Sequence, residues 1–305
     1  MQDLLGALPG AVSQGLIWGL MAIGLYITYK ILSISDLTVD GSICTGALVC
    51  AKLMTEGESP WVAMLCALLA GALCGLITGL LHTLFDIPAI LAGILTQLAL
   101  WSINLKIANG RANMALSWRK YDVILASNNN EEAIGILLII AAVIIIALYW
   151  FFGTALGCSI RATGCNLNMS RAQGINTNLN KVLGLMISNA IVALSGAILA
   201  QYQGSYDINM GRGAIVIGLA SIVIGEVIFS KIARNFAVRL TTVLVGGVIY
   251  YIVYQVIVFT GIDTNLLKML SAVVVAIFLG APNIKNKIMA KIRLLKRSKE
   301  VEDDA

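Results

Sequence analysis

Apolar stretches of about 20 residues recur from one end of this chain to the other, and that is the length an α-helix needs to cross a bilayer. Hydrophobic residues make up 59% of the sequence and charged residues only 12%, a balance far outside the range of soluble globular proteins. Because a chain at bilayer depth must satisfy its own backbone hydrogen bonds, each stretch is predicted to be a helix. The predicted spans are residues 10–29, 34–54, 61–82, 87–106, 132–153, 183–203, 213–230, 236–259 and 264–281.

These spans predict an all-α polytopic membrane protein with about nine transmembrane helices. The sequence has only four prolines in 305 residues, and it contains no Gly/Ser-rich linker and no long polar block. Such a chain is expected to form one membrane domain without an attached soluble module. We therefore expect a transmembrane domain over residues 1–282 and a basic cytoplasmic tail over residues 283–305.

The 21 lysines and arginines are shared unequally between the two sides that the spans define. One side holds 14 of them: Lys30, Arg161, Arg171, Lys181, Lys231, Arg234, Arg239, Lys285, Lys287, Lys291, Arg293, Lys296, Arg297 and Lys299. Cytoplasmic loops carry an excess of Lys and Arg, so the C-terminus is predicted to be cytoplasmic and, with nine spans, the N-terminus external. The basic tail is expected to contact anionic membrane lipid rather than nucleic acid.

Several kinds of catalytic site are absent from the sequence. No segment reads GxxxxGK[ST], and there is no Gly-Lys dipeptide, so the chain cannot build the phosphate loop of an ATPase. His82 is the only histidine and the six cysteines form no CxxC pair, which argues against a metal site. The chain is therefore not expected to be an enzyme or to bind a cofactor, and any ATP is expected to be used by partner subunits.

The predicted cytoplasmic loop from Thr154 to Lys181 has the signals of a folded segment. Asn166 can cap a short helix that runs to about Gln173, and Gly174 suits the left-handed position after its end. Thr177 is expected to cap the next span. A capped basic helix that lies flat at the inner surface is a suitable contact for a cytosolic partner.

The same loop resembles a known family. Its pattern R-A-x-G-x-N-x-x-x-[SA]-R-A-x-G-I-N looks like the cytoplasmic coupling segment of the branched-chain amino acid and ribose-type ABC permeases, and the likeness runs from about residue 10 to 282. It is closest to the uncharacterised branch encoded beside tryptophan-type binding lipoproteins. The resemblance assigns ATPase coupling to Arg161, Gly164, Asn166, Arg171, Gly174 and Asn176.

This resemblance implies a multi-pass permease of a bacterial cytoplasmic membrane that takes a small polar solute from an external binding protein. It also implies two cytosolic ABC ATPase subunits and a second permease copy, as a homodimer or a heterodimer. An amino acid is the expected solute. Branched-chain members carry Asn-Phe-Ala-His where this chain has residues 35–40, which argues against a branched-chain amino acid.

Two polar, glycine-containing stretches interrupt the apolar pattern, at residues 33–46 and 207–218. Paired interrupted helices in the two halves of a transporter are a pointer to its solute path. An ordinary polar turn at the membrane interface is the alternative. The candidate path residues are Asp36, Thr38, Asp40, Asp207, Asn209 and Glu226.

Glu226 lies deep in an apolar span, where a carboxylate facing lipid is costly. It is expected either to face the solute path or to reach the cytoplasmic surface near Lys231. If such carboxylates bound protons or sodium ions, the chain would instead be an ion-coupled secondary transporter, which is the alternative function. The outer stretch 108–132 is expected to be a solvated loop or a contact for the binding protein.

Overall fold

The computed structural model describes residues 2–118, 120–121, 123–127, 130–229 and 235–259, together with the single positions 269, 272, 273, 276 and 280. Apart from those single positions, the predicted ninth span and the basic tail lie outside the described residues. The helices are α1 (Gln2–Tyr26), α2 (Val39–Thr55), α3 (Pro60–Leu84), α4 (Ala89–Ile107), α5 (Asn130–Gly153), α6 (Ala155–Cys165), α7 (Leu167–Ala172), α8 (Thr177–Gln203), α9 (Ala214–Phe229) and α10 (Phe236–Phe259).

The prediction of an all-α polytopic membrane protein is confirmed. Six helices of the described part are long and apolar enough to cross a membrane: α1 with its extension, α3, α4, α5, α8 and α10. The α2 and α9 helices are shorter, at 17 and 16 residues. The only strands in the described ranges are β1 (Asn113–Ala115) and β2 (Ser205–Asp207), which form one antiparallel pair.

The α8 helix lies at the centre of the bundle. In its most apolar window 83% of the residues are buried, against 22% for α5, which is peripheral. Glycines let its neighbours approach closely: a Cβ atom at Gly71 or Gly75 of α3 would overlap the carbonyl oxygen of Asn189 or Leu185. Small residues at a spacing of four are expected to pack helices closely in membranes, and the glycines within 71–79 confirm this expectation.

The α1 helix ends in a wide turn and not in a regular C-terminus. Residues Ile27–Ile31 form a π-helical turn, in which the N–H of Leu32 donates to the carbonyl oxygen of Ile27 at 3.0 Å. Ser33 follows with a positive φ of 55°, and regular helix resumes only at Val39. The predicted span 34–54 thus starts five residues too early, because residues 34–38 form the break that precedes α2.

Candidate functional site

The break before α2 is held by a buried carboxylate. Asp36 is only 1% exposed, and its Oδ1 accepts the backbone N–H of Thr38 at 2.9 Å. Its Oδ2 accepts the side-chain amide of Asn189, on α8, at 2.7 Å. The Oδ1 of that amide in turn accepts the hydroxyl of Ser42 at 2.6 Å. Neutral donors therefore satisfy both carboxylate oxygens, as a buried charged or polar group requires.

A chain of hydroxyl groups joins the same break to α3 and α4. The Thr38 and Thr78 hydroxyl oxygens lie 2.7 Å apart, and Thr78 donates to Thr96 at 2.9 Å. Thr38 is fully buried. Asp36 and Thr38 thus fix the break against α8, α3 and α4 and do not line the cavity described below, and their place in a solute path stays a prediction.

Residues 208–213, in the second interrupted stretch (207–218), pack directly against α2, which begins within the first stretch (33–46). The Asp40 carboxylate of α2 accepts the backbone N–H groups of Gly213 at 3.1 Å and of Ile215 at 3.0 Å. It therefore caps the N-terminus of α9 from another helix, where a negative charge also opposes the positive end of the helix dipole. A Cβ atom at Gly211 would overlap the carbonyl oxygen of Asp40, so only glycine allows this approach.

A polar cavity of about 470 Å³ opens where the two interrupted segments meet. Its described lining comes from α2, from α4 and from the turn before α9. The lining residues are Asp40, Gly41, Cys44, Gln97, Leu98, Trp101, Ser102, Asn104, Ile208 and Arg212. Of the six path residues predicted from the sequence, this lining includes only Asp40.

The other predicted path residues are not part of the described lining of this cavity. Asp207 is in β2, and its Oδ1 accepts the backbone N–H of Asn209 at 2.6 Å, which forms a local turn. Glu226 pairs with Lys30 at 2.7 Å, and both side chains are 38% exposed. It lies 12 residues beyond the start of α9, roughly 18 Å along the helix axis. Lys231 is outside the described residues.

Three residues of the cavity are not among the path residues predicted from the sequence: Arg212, Gln97 and Trp101. An amide such as Gln97 in an apolar span more often joins two helices than binds a ligand, and Trp101 carries no signal in such a span. Arg212 does have a recognisable sequence context, because it stands between two glycines, Gly211 and Gly213, within the interrupted stretch.

The loop predicted to be cytoplasmic folds into two short helices, α6 and α7. As predicted, Asn166 caps α7, and its Oδ1 accepts the backbone N–H of Met169 at 3.0 Å. The prediction of a left-handed Gly174 is also confirmed, with φ of 76°. The predicted cap at Thr177 is wrong, because Asn176 precedes it and its Oδ1 accepts the N–H of Leu179 at 3.1 Å.

The inner helix α6 is fixed to the membrane bundle, while α7 is exposed. Gly164 packs against the carbonyl oxygen of Ile31 with no room for a Cβ atom, and the Arg161 guanidinium donates to the carbonyl oxygen of Phe152. In contrast, Met169 of α7 is 63% exposed. Of the residues predicted to couple to an ATPase, Asn166, Arg171, Gly174 and Asn176 are exposed.

The loop predicted to be external packs onto α8 through its described residues and is not merely solvated. Trp118 Nε1 donates to the carbonyl oxygen of Gln201 at 3.0 Å, and the side chain of Gln201 accepts the N–H of Ile124 at 3.2 Å. Leu116 and Leu125 are fully buried. This loop therefore covers the outer end of α8 with fixed structure.

The apolar bundle, its two interrupted segments beside a polar cavity and the exposed α7 helix are features expected of a membrane permease. The chain belongs to the family described as branched-chain amino acid transport system / permease component, which matches residues 8–280. The resemblance inferred from the cytoplasmic loop is thus confirmed. The protein is a multi-pass transport component of an ABC importer for a small solute and not an enzyme, and its family implies ATPase and binding-protein partners.

Individual relatives agree with this assignment. The chain is 40% identical over 280 residues, 90% of each chain, to the tyrosine transport system permease protein of Clostridioides difficile (strain R20291). It is 34% identical over 89% of its length to the uncharacterized protein RP368 of Rickettsia prowazekii (strain Madrid E), of which 96% is covered. The autoinducer 2 import system permease protein LsrC of Yersinia pestis (strain Pestoides F) is 27% identical over 68% of this chain and 58% of its own. No solved structure matches with significance.

Proposed function

We propose that this permease conducts an amino acid, with an aromatic amino acid such as L-tyrosine as the first to test. The observation that carries the proposal is the polar cavity of about 470 Å³ at the meeting point of the two interrupted segments. Its size is within the range of small-molecule sites. The similarity to a tyrosine transport permease over 90% of both chains supports the choice of solute.

Energy for transport comes, in this proposal, from ATP hydrolysed by partner subunits that dock on α7 and its flanks. The contact residues are Arg161, Gly164, Asn166, Arg171, Gly174 and Asn176. The support is local: α6 is fixed to the bundle through Gly164 and Arg161, so a force applied to the exposed α7 reaches α1 and α5 directly. Nine transmembrane helices, a second permease copy and a basic lipid-facing tail complete the proposed assembly.

Reconstitution in liposomes tests this function against the ion-coupled alternative. The permease, its ATPase subunits and its binding protein are assembled, and uptake of radiolabelled L-tyrosine is measured with and without ATP at the ATPase face. Uptake is expected to require ATP and to persist after the proton and sodium gradients are collapsed. Concentrative uptake by the chain alone, driven by either gradient, would refute the importer mechanism.

Reporter fusions test the proposed orientation. The inner side is proposed from the 14 lysines and arginines predicted there, by the positive-inside rule. A cytoplasm-active reporter is expected to work at residue 305 and in the α6–α7 loop, and a periplasm-active reporter in the outer loop near residue 120. The reverse pattern would place α7 on the wrong side for an ATPase.

A further inference from the structure

The cavity beside α9 contains two opposite charges that do not pair with each other. Asp40 and Arg212 are the only acidic and basic residues of its described lining. Within the described part of the chain, the ion pairs closer than 4.0 Å are Lys30–Glu226 and Lys52–Glu56. A positive and a negative side chain that form no ion pair with each other, on the walls of one cavity, leave space for a ligand that carries both charges.

Arg212 is free to bind an anion. Its side chain is exposed and makes no hydrogen bond to another described residue, while its backbone N–H is fixed by the carbonyl oxygen of Asn209 at 3.1 Å. The tight turn thus holds the residue in place, and the guanidinium stays available. A guanidinium binds a carboxylate through two parallel hydrogen bonds, which makes arginine the preferred partner of that group.

Asp40 can bind a cation while it caps α9. Each of its two oxygens accepts one backbone N–H, from Ile215 or from Gly213. A carboxylate has about four acceptor positions, so each oxygen retains one. An ammonium group has three donors and no acceptor, which suits these remaining positions.

The α4 wall of the cavity combines an apolar surface with the polar side chains of Gln97, Ser102 and Asn104, of which the Asn104 amide is already bonded to Thr45. Trp101 and Leu98 are 44% and 64% exposed, and both lie with Gln97 on one face of the helix, because residues three and four positions apart are neighbours. The Gln97 amide makes no hydrogen bond to another described residue. An aromatic ring can pack on Trp101 in an offset or edge-on arrangement.

We propose that this cavity is a subsite for a zwitterionic amino acid, with the α-carboxylate on Arg212, the α-ammonium on Asp40 and the side chain against Trp101. The assignment rests on the proposed function, since it supposes that the solute passes here. A transport subsite must release its solute again, so weak binding is expected, with a Kd on the order of 1 mM.

Saturation-transfer NMR on the full chain, purified with its ATPase subunits in nanodiscs, detects binding this weak. L-phenylalanine and L-tyrosine are the probes. Phenethylamine lacks the carboxylate, and 3-phenylpropanoate lacks the ammonium group. Both zwitterions are expected to bind the wild type roughly tenfold more tightly than either analogue, because each analogue loses one charged hydrogen-bonding group.

Arg212→Gln is expected to weaken L-phenylalanine binding roughly ten- to a hundredfold and to leave phenethylamine binding unchanged. Arg212→Lys should retain part of the affinity. The matched control is Lys106→Gln, which removes an exposed cation from the same wall helix outside the cavity. Unchanged melting temperatures show that the variants fold.

The subsite is refuted if neither zwitterion binds the wild type, or if Arg212→Gln binds L-phenylalanine as the wild type does. Tyrosine uptake in the reconstituted system separates this failure from failure of the proposed function. If Arg212→Gln retains ATP-dependent uptake, the importer mechanism is supported and the subsite is refuted. If binding depends on Arg212 but no ATP-dependent uptake is seen, the subsite is supported and the proposed importer mechanism is refuted.

Discussion

The carboxylate of Asp40 accepts a 3.0 Å hydrogen bond from the backbone N–H of Ile215, which lies 175 residues later in the chain. One side chain of α2 therefore completes the first turn of α9. The α9 helix has only 16 residues, fewer than the roughly 20 needed to cross a bilayer. The first N–H groups of a helix have no acceptor within it, and Asp40 supplies one for two of those at the start of α9.

Asp40→Ala is expected to lower the free energy of unfolding by about 2 kcal/mol, because two amide groups of α9 lose their acceptor. Asp40→Asn retains a single acceptor oxygen and should have roughly half the effect. Hydrogen exchange of residues 213–216 and thermal unfolding measure both changes. Asp207→Ala is the control, since its carboxylate accepts from Asn209 and Asn113 and not from α9; equal exchange in all variants would contradict the role of Asp40.

Gly46→Ala is expected to destabilise the protein by about 3 kcal/mol, because a Cβ atom there would overlap the backbone carbonyl of Ala193 and force α2 away from α8. Gly135 of α5 provides the matched control. A Cβ atom at that position meets nothing within 4 Å, so Gly135→Ala should be neutral or stabilising by about 0.5–1 kcal/mol. Similar melting temperatures for the two variants would disprove this account of the packing.

Gly174→Val is expected to reduce co-purification of the ATPase subunits several-fold. The residue has φ of 76°, and a Cβ atom added there would meet nothing within 4 Å. The cost therefore comes from the left-handed backbone alone, roughly 1–2 kcal/mol for an L-residue. Gly174→Asn should assemble nearly normally, because asparagine tolerates this conformation. Full assembly of the valine variant would count against docking on this loop.

Glu226→Gln is expected to leave most of the ATP-driven uptake intact and to change stability by less than about 1 kcal/mol. The carboxylate pairs with Lys30 at 2.7 Å while both side chains are 38% exposed, and such exposed pairs contribute little. The double variant Lys30→Glu with Glu226→Lys, which exchanges the two charges of the pair, tests the same expectation in the same uptake assay. Complete loss of uptake in Glu226→Gln would assign this carboxylate to energy coupling.

Tyr206→Phe is expected to stabilise the protein by about 1 kcal/mol. Burial raises the pKa of Tyr206, so its hydroxyl stays protonated, and this fully buried group has no hydrogen-bond partner in the described part of the structure. Tyr202→Phe is the opposite case, since its hydroxyl donates to Asn130 at 2.9 Å and its removal should destabilise. A lower melting temperature for Tyr206→Phe would reveal a bound water at its hydroxyl.

The helical architecture was predictable because bilayer length and hydropathy depend on the sequence alone. The cap at Asn166 and the left-handed Gly174 were predictable for the same reason, since both depend on a few adjacent residues. The choice of Thr177 over Asn176 as a cap failed because two neighbouring residues were both capable of the role. Here the local geometry decided, with Asn176 in an extended conformation before the first turn of α8.

The site was predictable only in outline. The two interrupted stretches are recognisable from their polar residues and glycines, and they do meet at Asp40. Which residues line the cavity depends on how α4 packs across α2, and nothing in the apolar pattern around Trp101 specifies that packing. The burial of Asp36 likewise depends on Asn189, which lies 153 residues away.

These long separations have a consequence for biosynthesis in the membrane. When α2 leaves the ribosome, Asp36 has only the local N–H of Thr38 and Asp40 lacks both of its acceptor contacts to α9, because Asn189 and the turn before α9 are not yet made. Asp40 is the second residue of α2, so its insertion cost is below the roughly 2.5–3.5 kcal/mol of an aspartate at a helix centre, yet α2 has only 17 residues to offset it. The helix is therefore expected to wait at the translocon or against α3 until α8 arrives, so that the earliest polar segment of the chain is among the last to reach its final place.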